Sequence, residues 1–390
     1  MDGCAFEQSA LIQCDIGSDP DLSMSGTECL SLNVTVPPDT SVSGVLPVMI
    51  FIHGGGFIMG GSHWPQHDPC RLVKMSVEMD MPVVVVNINF CLGILGNLTS
   101  EELRKAGYSG NNSLRGQQCA LRWVNKFIGG FGGDGDNVTV FGESAGAVST
   151  LHQLSAEEPF FKRAISMSGT PLMLQPMSAS TAEASYNSII KAAGLGSAST
   201  QERINHFLNI SPEELVKIPM NVPLILFQDN DILPQTQPHI VLSPYGINFS
   251  TPDDEAKDFI IDLATDFAYH VPGQHYAWAF EGQTCTYIFN QGNPWDGMFK
   301  GKSTHLLDAA FLFQNFNDHM DDEAKQTARR FAEIFVVFAN GKASVTWEHD
   351  MERNYGKGGC ERNELEKLAK EENVGLDELS GAWDLFLAGK

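Results

Sequence analysis

The sequence predicts an α/β fold, a mainly parallel central sheet with helices on both faces. Three observations carry this. Short apolar runs alternate along the chain with stretches of helical period, the order that builds a parallel sheet. One run, Pro82 to Asn89 (PVVVVNIN), is β-branched on both faces, as a central strand covered on both sides must be. Another, Val138 to Phe141, passes through Gly142-Glu143-Ser144 into small residues that can start a helix.

The elements follow in order. Leu30 to Val36 alternates like an edge strand and stops at Pro37-Pro38. Pro47 to Ile52 is a short apolar strand that ends at His53-Gly54-Gly55-Gly56. Ser113 to Phe127 carries Leu114, Ala120, Leu121, Val124 and Phe127 at helical spacing. Val138 to Phe141 is the next buried strand, followed by its helix, and Arg163 to Met167 is another strand. The stretch from about 175 to 220 reads helical and polar, with Ser211-Pro-Glu-Glu as a helix start, and suits a helical cap inserted into the domain. Asp253 to Tyr269 reads as a helix, Thr284 to Phe289 as a strand, and Asp321 to Asn340 as a long amphipathic helix. The tail from Arg353 reads as charged helix and loop, closed by Trp383 and Phe386 packing back. With no linker in view, residues 1–390 are expected to form one domain.

Composition narrows the classes of function. The chain of 390 residues is 43% hydrophobic and 19% charged, an ordinary globular composition. A net charge of −23 disfavours nucleic acid, whose phosphates need cations, and anionic membrane surfaces. The opening residues show no basic segment followed by a long apolar one, so no signal peptide is read there. A cytoplasmic location is expected, a trimmed mature form being the alternative. Eight cysteines without a C-x-x-C read mainly as small core or surface residues, any disulfide falling among Cys4, Cys14 and Cys29. Sequons at Asn33, Asn97, Asn111, Asn137 and Asn248 read as chance occurrences.

The chemistry centres on Gly142-Glu143-Ser144-Ala145-Gly146-Ala147. A serine between two glycines at a strand-to-helix junction is a nucleophile elbow, in which only small neighbours let strand and helix pass closely enough to expose the hydroxyl. A serine hydroxyl is a weak nucleophile and needs a base, usually a histidine oriented by a carboxylate. It also needs donors aimed at the developing oxyanion. The glycine turn after the Pro47–Ile52 strand supplies Gly55 and Gly56, and the elbow supplies the amide of Ala145. His63 and His67 lie on a loop with no third ligand, so no metal and no cofactor is expected.

At this point the chain resembles the type-B carboxylesterase/cholinesterase family of α/β-hydrolases, its fungal branch in particular. The segments that carry the resemblance are TECLSLNV (27–34), PVMIFIHGGGFIMGG (47–61), NINFCLGILG (87–96), QQCALRWVNKFIGGFGGDGDNVTVFGESAGA (117–147), FKRAISMSGT (161–170) and GKSTHLLDAAFLF (301–313). The resemblance implies an α/β-hydrolase fold and ester hydrolysis through an acyl-serine on Ser144. It selects His305 as the base among eleven histidines. It also implies supporting roles for Glu143, beside the nucleophile, and Ser168, beside the triad carboxylate.

Two departures qualify it. The family opens with some tens of residues without counterpart here, and Cys91 stands where an arginine is usual, so an ion pair made there is expected to be lost. The triad acid is missing from its usual context. The run Val222 to Phe227 is followed by Gln-Asp229-Asn-Asp231. Asp231 is the first candidate, with Asp229 and an absent or displaced acid as the alternatives.

The expected function is hydrolysis of a small hydrophobic ester or lactone, in the setting of fungal secondary metabolism. Two alternatives stand beside it: a biosynthetic acyl transferase or lactone-forming enzyme using the same acyl-serine, and a non-catalytic binding protein with a degenerate triad. Partners other than a small-molecule substrate are not expected, and oligomeric state is open.

Overall fold

The structure is a computed structural model that describes residues 3–18, 25–26, 28–156, 158–219, 222–229, 231–233, 265–280, 282, 284–342 and 352–355. The expected helix from Asp253, the sequon at Asn248, Cys360 and the packed tail with Trp383 and Phe386 lie wholly or mostly outside these residues.

Five strands form one sheet: β1 (Leu32–Thr35), β2 (Leu46–Ile52), β3 (Val84–Ile88), β4 (Gly133–Glu143) and β5 (Arg163–Met167), in the order β1-β3-β2-β4-β5. β3, β2, β4 and β5 are parallel, with Ile50 opposite Val86 on one side and Val140 on the other. β1 runs antiparallel along the β3 edge, Leu32 opposite Ile88. A separate parallel pair joins β6 (Thr286–Phe289) to β7 (Glu352–Tyr355).

Strand side chains alternate between two faces, and each face has its own core. Val48, Ile50, Ile52, Val84, Val86, Val138 and Val140 pack against Leu114, Leu121 and Val124 of the Asn112–Phe127 helix and Val148 of the Ala145–Leu154 helix. Met49, Phe51, Val83, Val85 and Phe141 pack instead against Leu72 and Val73 of the Cys70–Glu78 helix. The same face meets Phe331, Phe335 and Val336 of the Asp322–Ala339 helix. Each such aliphatic side chain, fully buried, contributes roughly 1.5–3 kcal/mol. This is why Pro82 to Asn89 reads apolar on both faces. β3 is buried at every position.

The polar stretch after β5 forms helices over Ala179–Ala192, Thr200–Asn209 and Pro212–Leu215. Ser178, Ser199 and Ser211 cap their N-termini, each side chain accepting an N3 amide. Ile189, Leu215 and Leu224 close on Ile94 and Leu98, just beyond β3. Asn97 and Asn111 are buried, with side-chain amides bonded to the Leu224 and Phe227 carbonyls, so neither sequon is available to a glycan. Among the described residues no cysteine forms a disulfide, Cys4, Cys14 and Cys29 included. Among the described residues, no helix is long and apolar enough to cross a membrane.

Candidate active site

β4 delivers Ser144 at its carboxyl end, where ligands of open α/β sheets gather. The turn is sterically closed. A Cβ on Gly142 would lie 2.3 Å from the Gly146 backbone, and one on Gly146 would lie 1.9 Å from the Ile52 carbonyl. Ser144 itself has φ 57° and ψ −122°, a region that costs a non-glycine residue on the order of 1–3 kcal/mol. Packing of strand against helix holds it there, and Oγ points to His305. His305 Nε2 lies 2.8 Å from Ser144 Oγ, across 161 residues of sequence.

His305 stands on the loop before the Leu307–Leu312 helix. Leu306, at φ 73°, makes the left-handed turn that starts this helix. Desolvation pushes the imidazole down, to about 4, with Glu7 pulling weakly the other way. It is therefore a neutral base at neutral pH. The Tyr269 ring packs 5.8 Å from the imidazole. Burial raises the Tyr269 phenol to about 12, helped by Glu143 and Asp308.

The glycine turn after β2 lies alongside. Gly55 and Gly56 have φ of 92° and 62°, left-handed backbone that glycine adopts at the least cost. A Cβ on Gly55 would meet the Met59 carbonyl at 2.3 Å. Among the described residues, the amides of Gly55, Gly56 and Ala145 have no acceptor in the protein, so all three are free to donate. His53 braces the turn from below. It is buried and stacked on Phe90 at 4.5 Å, with Nδ1 2.9 Å from the Gly54 carbonyl. Burial lowers its pKa to about 4.

Glu143 is buried, with Oε1 3.4 Å from His305 Nε2. Burial, then Asp308 and Glu7, raise its pKa well above the usual carboxylate value. Ser168, expected beside the triad carboxylate, donates instead to Asp308, its Oγ 2.6 Å from Oδ2. The Ala309 amide donates to the other oxygen at 2.9 Å. Burial raises Asp308 despite both bonds.

The expected triad acid is elsewhere. Asp231 is exposed and paired with Arg115 at 2.5 Å. Asp229 accepts the backbone amides of Asp231, Ile232 and Leu233 and the Asn111 side chain, closing its own turn. Phe227 and Asn111 bond to each other twice, fixing the whole stretch to the start of the Asn112–Phe127 helix. Both aspartates are thereby held away from the imidazole. Among the described residues, Glu143 is the one carboxylate within 4 Å of a His305 ring nitrogen, and it faces Nε2, the nitrogen already turned to serine.

Sequence reasoning also passed over Glu7 and Asp308. Glu7, on the N-terminal Glu7–Ile12 segment, is buried and sits 3.2 Å from His67 Nε2. Burial works against its charge, but His67 and Gln66 hold its pKa below the ordinary value. So His67, read as a loop residue, is a buried partner of an acid. Asp308 had a signal, an acid three residues after His305 inside an apolar run, which by periodicity is a buried polar group in need of a partner.

Comparison with known proteins agrees with this architecture. The model of the carboxylesterase family matches residues 4–252. "Lipase 2" of Diutina rugosa is 35% identical over 227 residues, 56% of this chain and 39% of that one. The "Inactive carboxylesterase-like protein VdtD" of Byssochlamys spectabilis is 38% identical over 146 residues, 37% of this chain and 25% of that one. These matches span well under half the length of either relative. A solved PNB esterase superposes with a TM-score of 0.66 at 23% identity, covering 83% of this chain and 77% of that one. The fold is that of the α/β-hydrolases.

Proposed function

The chain belongs to the carboxylesterase family, and on that premise we propose that it hydrolyses carboxylic esters through an acyl-serine on Ser144. The observation that supports this best is the 2.8 Å contact between Ser144 Oγ and His305 Nε2 at a strained elbow. In the proposed reaction, Nε2 takes the Oγ proton as Oγ attacks the ester carbonyl. The oxyanion so formed accepts the amides of Gly55, Gly56 and Ala145. The protonated imidazole returns its proton to the leaving alcohol, and the acyl-serine is hydrolysed by a water activated at the same nitrogen. The substrate class proposed is a small hydrophobic ester or lactone. The helices of the 175–220 stretch, packed on the segment after β3, are proposed as the cap beside the site.

No described carboxylate lies within 4 Å of His305 Nδ1, and burial disfavours the charge of Glu143 beside Nε2. In subtilisin, loss of the triad aspartate alone costs about 3 × 10⁴ in kcat, so slow turnover is the expectation. The same feature favours a second reading, a binding protein that has kept the elbow without a competent base. Labelling with a fluorophosphonate separates the two. Stoichiometric modification of Ser144, lost in Ser144→Ala, together with turnover of p-nitrophenyl butyrate, supports the hydrolase. A folded chain that is neither labelled nor active supports the binding protein.

A further inference from the structure

The cysteine that interrupts the resemblance has its own partner. Cys91 Sγ lies 3.1 Å from Cys29 Sγ, 62 residues away in sequence. The juxtaposition follows from the sheet. β1 and β3 are antiparallel with Leu32 opposite Ile88. The same register continues one step beyond the strands, where the Asn89 amide donates to the Ser31 carbonyl at 2.8 Å. Beyond this bond the first chain turns, the Ser31 amide donating to the Cys29 carbonyl at 3.0 Å, and the Cys29 side chain meets Cys91 there. The two sulfurs need to approach by only about 1 Å to reach bonding distance.

We propose that Cys29 and Cys91 are an oxidisable pair that closes to an intramolecular disulfide, stapling the entry of the edge strand to the loop after β3. The oxidant class is a low-molecular-weight disulfide such as glutathione disulfide. The Cys29 thiol loses its proton and its sulfur attacks the oxidant, releasing one glutathione thiolate, which takes up that proton. The Cys91 thiol then loses its proton and attacks Cys29 Sγ, and the second glutathione leaves as thiolate and is protonated in turn. Two protein thiols are oxidised and one disulfide is reduced to two thiols. Burial and the neighbouring Cys29 raise the pKa of the Cys91 thiol to about 12.

The staple lies on a path to the glycine turn. The Cys91 carbonyl accepts Ser113 Oγ at 2.6 Å, and the Gly93 amide donates to the Phe57 carbonyl at 2.7 Å. Phe90, the residue before Cys91, is the one that stacks on His53. Oxidation would therefore restrain the segment on which the glycine turn rests.

The test uses the whole chain, equilibrated with glutathione disulfide or with excess reduced glutathione, alkylated and mapped by mass spectrometry. A Cys29–Cys91 linked peptide, formed under oxidation, reversed by reduced glutathione and absent from Cys91→Ser and Cys29→Ser, is the expected result. The oxidised wild type should also melt about 2 °C or more above the reduced form, with no such shift in Cys91→Ser. Alkylation of both cysteines under oxidation, capture of Cys29 as a stable mixed disulfide, or linkage of Cys29 to Cys4 or Cys14 would each overturn the proposal. None of these readouts depends on esterase activity.

Discussion

Ser168 Oγ donates to Asp308 at 2.6 Å, so the buried carboxylate nearest His305 in sequence is engaged by a serine and not by the imidazole. The consequence is an active-site histidine whose nucleophile-facing nitrogen is placed and whose charge is poorly stabilised. Most of the measurable behaviour of the site follows from that.

The pH profile should be unusual. In the proposed mechanism His305 acts as a base in its neutral form, and burial holds its pKa down, at about 4. The rate of Ser144 labelling should therefore rise through about pH 4 and stay level from about pH 5 to 8. A histidine steadied by a carboxylate would instead show an acid limb near or above its usual value of about 6.5. An acid limb at pH 6–7 would show that an acid reaches Nδ1.

Replacing the sequence-favoured acid should do little. Asp231 is exposed and its bond to Arg115 is a surface ion pair, worth about 0–1 kcal/mol. Asp231→Ala should change the labelling rate less than twofold. Asp229→Ala should cost about 1–3 kcal/mol of stability, because three backbone amides and the Asn111 side chain lose their acceptor. Urea unfolding and labelling kinetics of the two variants distinguish these effects; a tenfold loss of labelling in Asp231→Ala would restore it as the triad acid.

Glu143→Gln should stabilise the protein above neutral pH and not at pH 4. The folded state holds the Glu143 proton well above the ordinary carboxylate range because of burial. The unfolded chain releases it near the ordinary value of about 4.3. Stability thus falls as pH rises from there toward the folded pKa, and glutamine, which has no proton to lose, removes that loss. Melting temperatures of the variant and parent at pH 4 and pH 8 check the sign.

His152 should contribute the opposite slope. It sits half-buried in the Ala145–Leu154 helix with its Nε2 buried and unpartnered, and desolvation lowers its pKa to about 4. Between about 4 and 6.5 the unfolded chain binds a proton that the folded chain refuses, so stability falls as pH drops through that window, by roughly 2–3 kcal/mol at most. His152→Leu should flatten the melting-temperature curve between pH 6.5 and 4.5. An unchanged slope would place the acid sensitivity on His53 and the other buried groups instead.

Gly146→Ala tests the elbow. Its added methyl would lie 1.9 Å from the Ile52 carbonyl, which belongs to β2 and cannot move alone. The expected loss is about 3 kcal/mol or more, with labelling abolished even where the protein remains folded.

Much of this molecule was legible from the chain because the relevant physics is local. The β-branched run at β3, the glycine turn after β2 and the elbow at Ser144 are each specified within about ten residues, by alternation, by left-handed backbone or by the closeness of strand and helix. Motif order and spacing then singled out Ser144, the glycine amides and His305. Asp231 misled because a strand-like run followed by two aspartates has the right sequence character for a triad acid. Only packing shows that Asn111 and Arg115 claim both carboxylates.

The sequence by itself determined the parallel α/β architecture, the Ser144 elbow and the glycine turn after β2, since these depend on neighbours along the chain. Tertiary structure alone decided which carboxylate meets which partner: Glu7 with His67, Ser168 with Asp308, Asp231 with Arg115. It decided equally that Cys91, where an arginine was expected, faces Cys29. Such pairings join residues up to about 140 positions apart. Burial fixes their protonation, and burial is a property of the folded chain that no short stretch of sequence carries.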